Sequence, residues 1–554
     1  METERTDPVR RTGRARPPAL GSGWTFGLLL ILAVVAAFAV LYTTSNGPVA
    51  GSDSVAYIVA ARNLLEGNGL GWTYPSGEFH LLTHFPPLYS LTLALFGLGG
   101  ADLIDVARFV SIASFVVVIS TTAAAMFVAT GSKLTVVAVA AAILADGVVL
   151  SVFSRAMSEP LFLVFQTTGV LLLLFHSRAG RLSLAAAAGL ALGLAAVSRY
   201  IGIALLVGGA LGVLFLGGIR PRRRLIASGI FTAFGLLPSL LWGIFLVVCE
   251  GSTLPRQVSM GIEDAWVALR PFRGSVVDGL WSMLPIVGGV EVGSYRIRLA
   301  LLAGLVLAGS VTAWWAHRAW QCSSEEVRGR AGASLDLAGY SLMLAICYLG
   351  GLAAAFLFVR PAPDIDARML VPLRILLWHG AAATAHLTGS LWARLAWLRR
   401  APVVLAALAI AWAAPSTLAT ARSLHEDAVG YAGSAWRESC LIQEVRGISR
   451  EVQLISNDSA AILFLTGRSA YDIPELLDCE PRVPFRRFGE SAGDVTETIY
   501  REDGAALVLF SSAYWQFDAI YHPDTQARLD AFVAGLDVRT SCPDGEILYY
   551  ASAP

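Results

Sequence analysis

Apolar runs of close to helical-span length, separated by short polar breaks, fill most of the chain up to about residue 420. A bilayer core needs an α-helix of about 20 residues, because backbone groups within lipid must be satisfied inside the segment. Runs at 24–42, 105–128, 133–152, 159–176, 182–198, 200–218, 225–249, 297–315, 336–358, 369–388 and 401–419 therefore predict about eleven spans of a polytopic α-helical membrane protein. The first run is too long for the core of a signal peptide and reads as a retained helix. Residues 1–22 are basic and proline-rich and are expected to form a disordered tail on the cytoplasmic side.

Beyond residue 419 the pattern changes. VQLIS (452–456), AALVLF (505–510) and EILYYA (546–551) have strand character, SAAILFLTG (459–467) and 524–536 have helical character, and RSAYDIP (468–474) reads as extended. That alternation predicts a small α/β domain over 420–554, following a membrane domain over 23–419. Two long connections, 44–104 and 250–296, interrupt the spans.

The basic residues test this layout. Lys133, then Arg178 and Arg181, then Arg220 with Arg222, Arg223 and Arg224, then His317, Arg318, Arg328 and Arg330, then Arg394, Arg399 and Arg400 all fall in alternate loops. A positive-inside bias puts those loops and the N-terminus in the cytoplasm, and the loops 44–104 and 250–296 with the C-terminal domain outside, as in a multi-pass plasma-membrane protein.

Composition agrees. Of 554 residues, 55% are hydrophobic and 15% charged, with a formal net charge of zero and a mean hydropathy of +0.62. The balanced charge suggests no nucleic-acid partner. Lys133 is the only lysine, which excludes Schiff-base and phosphate-loop lysine chemistry wherever it cannot reach. There is no GxGxxG motif and no internal repeat. Six cysteines form no CxxC pair; Cys440, Cys479 and Cys542 lie in the C-terminal region, where one disulfide of unspecified pairing is open.

Chemistry-bearing residues gather at the outer edge. Asp53 opens the segment VAYIVAARNLLEG, where it reads as a helix N-cap, a role that still leaves one carboxylate oxygen free to face lipid-borne and water-borne substrates. Val55, Ile58, Val59 and Leu65 against Asn63 and Glu66 suit a helix lying along the membrane surface. His80 and His84 lie in a Pro-Pro loop without the further ligands a zinc site requires, so no metal is expected. Arg108, Arg155, Glu159, Arg199 beside Tyr200, and Arg368 after Asp364 and Asp366 are membrane-edge charges and functional suspects by default. Arg155 and Glu159 are spaced to pair with each other, and Arg199 is placed where it can snorkel. Convergent arginines suit a lipid phosphate, which guanidinium grips in bidentate fashion. His379 and His386 read as buried polar contacts between helices.

These residues occur in motifs that resemble the GT-C glycosyltransferases, in the branch of the protein O-mannosyltransferases and the lipid A aminoarabinose transferases. The similarity lies in GSDSVAYIVAARNLLEGNGL, THFPPLYSLTLALFGL, VARFVSI, SRAMSEPLF, SRYIGIALL, DARMLVPL and LISNDSAAILFLTGR, in family order over about residues 24–480. The resemblance implies transfer from a polyprenyl-phosphate sugar on the extracytoplasmic face, with inversion at the anomeric centre. It maps the family's acid onto Asp53 and donor-phosphate arginines onto Arg108 and Arg368, to which Arg199 is added. Tyr57, His84, Arg155, Glu159 and Tyr200 are expected in support. Two departures stand out: Ser54 follows the acid where several relatives carry a second one, and Met369 follows Arg368 where a tyrosine is common.

Physical logic points the same way. An acid at this level would take a proton from an acceptor hydroxyl, while arginines stabilise the leaving lipid phosphate without a divalent metal. Acceptors remain open among glycan, lipid and protein. The alternative is a transporter or flippase for a lipid-linked or small-molecule substrate, which would be expected to show internal repeats and ionisable groups near mid-bilayer. A structural protein of the cell envelope is a third reading.

Overall fold

The computed structural model describes residues 23–73, 77, 79–216, 221–250, 257–258, 277, 325–360, 366–472, 505–513 and 537–549. The expected span at 297–315, residues 1–22, most of the loop at 250–296, the expected helix at 524–536, and Asp364 and Cys479 lie outside them.

Apolar helices dominate. The membrane part comprises α1 (Gly23–Thr43), α4 (Leu103–Thr130), α5 (Lys133–Leu144), α6 (Gly147–Phe153), α7 (Glu159–Ala179), α8 (Leu182–Ser198), α9 (Gly202–Phe215), α10 (Pro221–Glu250), α11 (Glu325–Phe358), α12 (Val371–Leu391) and α13 (Ala401–Glu426). Among the described residues six helices are long and apolar enough to cross a membrane, or seven if the bent pair α5–α6 is one span. The chain is thus a multi-pass membrane protein. Helices α8 and α9 are apolar but shorter, and α12 carries Arg374, His379 and His386. Burial separates the layers: 61% of the α4 window and 67% of the α7 window are buried, against 17–28% for α1, α10, α11 and α13, which turn apolar side chains outward.

Close helix contact uses small residues. At Gly189 and Gly193 of α8, an added Cβ would strike the Phe231 and Gly235 carbonyl oxygens of α10, so only glycine permits this approach.

The run expected as one helix over 133–152 is broken. Asp146 accepts the Val148 and Val149 amides at 2.9 and 3.2 Å, starting α6 at 69° to α5. Thr417 Oγ1 of α13 donates to the Ala145 carbonyl at 2.7 Å, satisfying a backbone group that the break releases. The other Asp146 oxygen pairs with Arg374, in the first turn of α12, at 2.6 Å.

The connection over 44–104 is structured. It holds α2 (Ser52–Leu65), an antiparallel pair β1 (Gly71–Thr73) and β2 (Phe79–Leu81), and α3 (Leu88–Gly97). Much of helix α2 is covered by protein on all sides. Ser54–Ala61 are all buried, enclosed by residues of α3, α4 and the C-terminal region.

That region contains α14 (Cys440–Gly447), β3 (Leu454–Ser456), α15 (Ser459–Thr466), β4 (Tyr471–Asp472), β5 (Ala506–Phe510), β6 (Asp537–Cys542) and β7 (Gly545–Tyr549). The sheet order is β4-β3-β5-β7-β6. Strand β3 runs parallel to β4 and β5, while β7 is antiparallel to β5 and β6. A disulfide joins Cys440 to Cys542, with Cα atoms 5.8 Å apart.

Candidate active site

Asp53, Arg108, Arg155, Glu159, Arg199, Tyr200 and Arg368 lie where helices end at one face of the bundle. Helices α1, α6, α8 and α11 terminate there, and α4, α7, α9 and α12 begin there. The basic residues Lys133, Arg178, Arg181, Arg222, Arg223, Arg224, Arg394, Arg399 and Arg400 fall at the opposite ends of these helices.

Asp53 sits in the first turn of α2 and is half-buried. It is not the N-cap; Gly51 occupies that position, and its amide donates to Ser54 Oγ at 3.1 Å. Ser54, at the third helical position, thus anchors the N-cap residue. Placed inside the positive end of the helix, the Asp53 carboxylate meets a favourable dipole. Its charge acts on both Tyr57 and Arg199.

Arg199 follows α8 directly and turns inward rather than snorkelling. Its Nη1 pairs with Glu159 Oε1 at 2.5 Å, with both side chains largely buried. Burial is the largest single influence and opposes its charge, but Glu159, Tyr57, Tyr348 and Asp53 together outweigh it and hold the guanidinium above its ordinary range. The i,i+4 pairing of Arg155 with Glu159 is therefore replaced by a longer-range one. Tyr57, one turn along α2 from Asp53, bonds Ser158 Oγ through its hydroxyl at 3.0 Å and packs on Phe85 and Tyr89. Burial pushes its phenol well up.

Arg155 is left differently. Its Nε is buried and makes no hydrogen bond among the described residues. Burial lowers its affinity for a proton, and the Arg368 guanidinium adds to this; Glu159 and Asp366 offset it in part. Arg368 pairs with Asp366 at 2.5 Å and points Nη1 at Met157 Sδ, 3.4 Å away. Met157 follows Arg155 by two residues, so the two arginines share one corner, and Asp366 acts on both. Asp366 also fixes the turn by accepting the Arg368 and Met369 amides, and Tyr348 donates to the Met369 carbonyl at 2.6 Å.

Arg108 is bound elsewhere. It donates to Thr44 Oγ1 at 2.9 Å and the Leu41 carbonyl at 3.2 Å, stapling α4 to the end of α1. One turn further on, Ser111 bonds the Arg155 carbonyl at 3.1 Å, so Arg108 lies behind the Arg155 corner. Tyr200 donates to the Thr83 carbonyl at 3.0 Å and receives Trp242 Nε1 at 3.2 Å, tying down the loop that carries His84. The His84 ring meets Phe85 edge-on. His80 faces Trp72 across the β1–β2 pair. His379 bonds Thr122 at 3.3 Å and His386 bonds Ser334 at 3.2 Å, both between helices.

Sequence reasoning missed Ser158, Tyr348 and the Asp146–Arg374 pair. Asp146 within a run expected as one helix was a signal for the last. A separate cleft of about 550 Å³ lies at the far end of α2, lined by Arg62, Glu66 and Asp102 among others.

No family model matches the chain, and no curated protein matches it. Solved structures similar to it include ArnT from Cupriavidus metallidurans bound to undecaprenyl phosphate, with TM-score 0.47, 15% identity, and coverage of 96% of this chain and 99% of that one. They include the oligosaccharyltransferase AglB from Archaeoglobus fulgidus in complex with an inhibitory peptide and a dolichol-phosphate, with TM-score 0.47, 14% identity, and coverage of 90% and 70%. They also include the arabinofuranosyltransferase AftD from Mycobacteria, with TM-score 0.48, 14% identity, and coverage of 98% and 40%. All three are GT-C glycosyltransferases, the group whose motifs the sequence resembles.

Proposed function

We propose that the protein is a membrane glycosyltransferase that moves a sugar from a polyprenyl-phosphate donor to an acceptor hydroxyl, with inversion and with Asp53 as general base. The observation that carries this is Arg155: a guanidinium whose buried Nε makes no hydrogen bond among the described residues, within electrostatic reach of a second guanidinium, Arg368, at the membrane edge. Two cations held together at a membrane face suit a lipid-borne anion, and their mutual repulsion is relieved when a phosphate binds between them. Arg199 is paired with Glu159 in a largely buried position and shapes the site, whereas the pair of Arg368 with Asp366 is more exposed and open to a ligand; Arg108 supports from behind.

In the reaction, Asp53 removes the acceptor O–H proton as that oxygen bonds to the anomeric carbon. The bond from carbon to phosphate oxygen breaks on the opposite side, and polyprenyl phosphate leaves with the electron pair. Arg155 and Arg368 stabilise the charge it gains, so the mechanism uses no metal. The face carrying the site and the sheet is read as extracytoplasmic. The basic loops at the opposite ends and the Cys440–Cys542 disulfide, which fits an oxidising compartment, support that orientation. Counting α8, α9 and α12 as spans, with one more at 297–315, gives about eleven.

Incubating purified protein with polyprenyl-phosphate mannose, glucose and arabinose tests the proposal. Consumption of one donor with release of polyprenyl phosphate is expected; consumption of none, in the presence of membrane-extract acceptors, would overturn it.

A further inference from the structure

Val49 and Ala50 form the middle of a three-segment ladder. On one edge the Val49 amide donates to the Ser154 carbonyl at 2.8 Å and the Ala156 amide to the Val49 carbonyl at 3.0 Å. On the other, the Ala50 amide donates to the Val429 carbonyl at 3.2 Å and the Tyr431 amide to the Ala50 carbonyl at 2.9 Å. Both pairings are parallel bridges, with Arg155 opposite Val49 and Gly430 opposite Ala50. Three residues beyond Ala50 stands Asp53. The backbone therefore locks the start of α2 to the segment bearing Arg155, and locks both to the connection entering the sheet domain.

Gly430 shows how tight the outer edge is. It has φ of +77°, and a Cβ there would collide with the Ala50 carbonyl oxygen. The next residue, Tyr431, reaches into the sheet domain. Its hydroxyl donates to Asp458 Oδ1 at 2.8 Å, an oxygen that also accepts the Ala461 amide at 3.0 Å as the cap of α15. Helix α15 in turn packs Ala460, Leu463 and Phe464 into one apolar cluster with Val55 and Tyr57 of α2. The Tyr431 ring is fixed by Trp436 and Phe464, with centroids 5.2 and 6.0 Å away.

We propose that the Tyr431–Asp458 hydrogen bond is a latch through which the sheet domain positions the first turn of α2, and with it Asp53, against the Arg155 corner. This rests on the assignment of Asp53 as base. Tyr431 and Asp458 are positioning residues and touch no substrate. Asp458 is only 8% exposed, so losing one partner leaves a polar group that water reaches poorly, and the strain falls on Tyr431 and the ladder. The donor phosphate is held from the other edge, so the latch governs turnover rather than donor affinity.

The test uses the full chain in detergent, with Tyr431→Phe, Asp458→Ala and Asp458→Asn. Two readouts are taken: amide hydrogen exchange over residues 49–55, and transfer from whichever of the polyprenyl-phosphate sugars the wild type consumes. Tyr431→Phe and Asp458→Ala are expected to speed exchange there about fivefold, the equivalent of one hydrogen bond's net contribution. Misplacement of the base lowers kcat about tenfold, with donor KM within about twofold. Asp458→Asn keeps the accepting oxygen and is expected to restore both. Unchanged exchange in Tyr431→Phe, or an asparagine variant as impaired as the alanine one, overturns the latch. A wild type that transfers from none of the donors removes the base-positioning role together with the transferase assignment; the exchange data then show separately whether the contact couples the two regions.

Discussion

Replacing Arg155 with methionine should strengthen the fold and weaken the grip on a lipid phosphate. Methionine retains most of the apolar stem and removes a guanidinium whose Nε is buried without a hydrogen bond among the described residues. Relieving one unsatisfied buried donor returns about 1–3 kcal/mol, and the repulsion from Arg368 disappears with it. Lost packing offsets part of this, leaving a net gain of about 1–2 kcal/mol, or about 1–2 °C in Tm for a chain of this size. Binding moves oppositely. Hydrogen bonds to a charged group contribute about 1.5–3 kcal/mol, so affinity for undecaprenyl phosphate should fall about 10–150-fold. Thermal unfolding of detergent-purified protein, followed by intrinsic fluorescence with and without undecaprenyl phosphate, reads both numbers. A variant less stable than wild type that still binds the lipid equally well would refute the phosphate assignment.

Glu159→Ala strands the buried Arg199 charge and should cost about 3–5 kcal/mol, seen as a lowered unfolding temperature, whereas Glu159→Gln should cost less because it keeps a bond. Burial pushes the Asp458 carboxyl up to about 6, against the pull of its bonds to Tyr431 and Ala461. Its folded form thus holds a proton that the unfolded chain releases near pH 4, and its contribution of about 3 kcal/mol is present below pH 4 and lost as pH rises through 6. Melting curves across that window should show wild type losing stability relative to Asp458→Asn, whose difference from wild type should be flat if Asp458 does not titrate there. Removing the Cys440–Cys542 bridge as a double serine variant opens a loop spanning 102 residues and should destabilise the sheet domain by about 4–5 kcal/mol, measured by protease susceptibility of that domain.

Much of the helical layout was legible because lipid imposes one rule, satisfaction of backbone groups within the segment, and the apolar runs record it. Helix α8 begins and ends where its run does. The break at Asp146 was less legible, because whether a buried aspartate interrupts a helix depends on Arg374, far along the chain. Strands β3, β5 and β7 were visible as short apolar runs, but their order, with β7 between β5 and β6, is a long-range property that local patterning does not carry. At the site, residue types were readable and partners were not. Arg155 and Glu159 have the spacing of a helical pair, yet the turn at Ser154–Ser158 places Glu159 toward Arg199 and leaves Arg155 beside Arg368. The ladder through Val49 and Ala50 had no sequence signature beyond Gly430, whose left-handed backbone marks the close approach.

The central claim is that Asp53 takes the acceptor proton. The direct measurement is single-turnover transfer by Asp53→Asn from the donor that wild type consumes, alongside undecaprenyl phosphate binding by the same preparation. Transfer should fall by at least about 10²-fold, the scale of a lost general base, with lipid affinity within about twofold of wild type. Transfer at the wild-type rate would contradict the account.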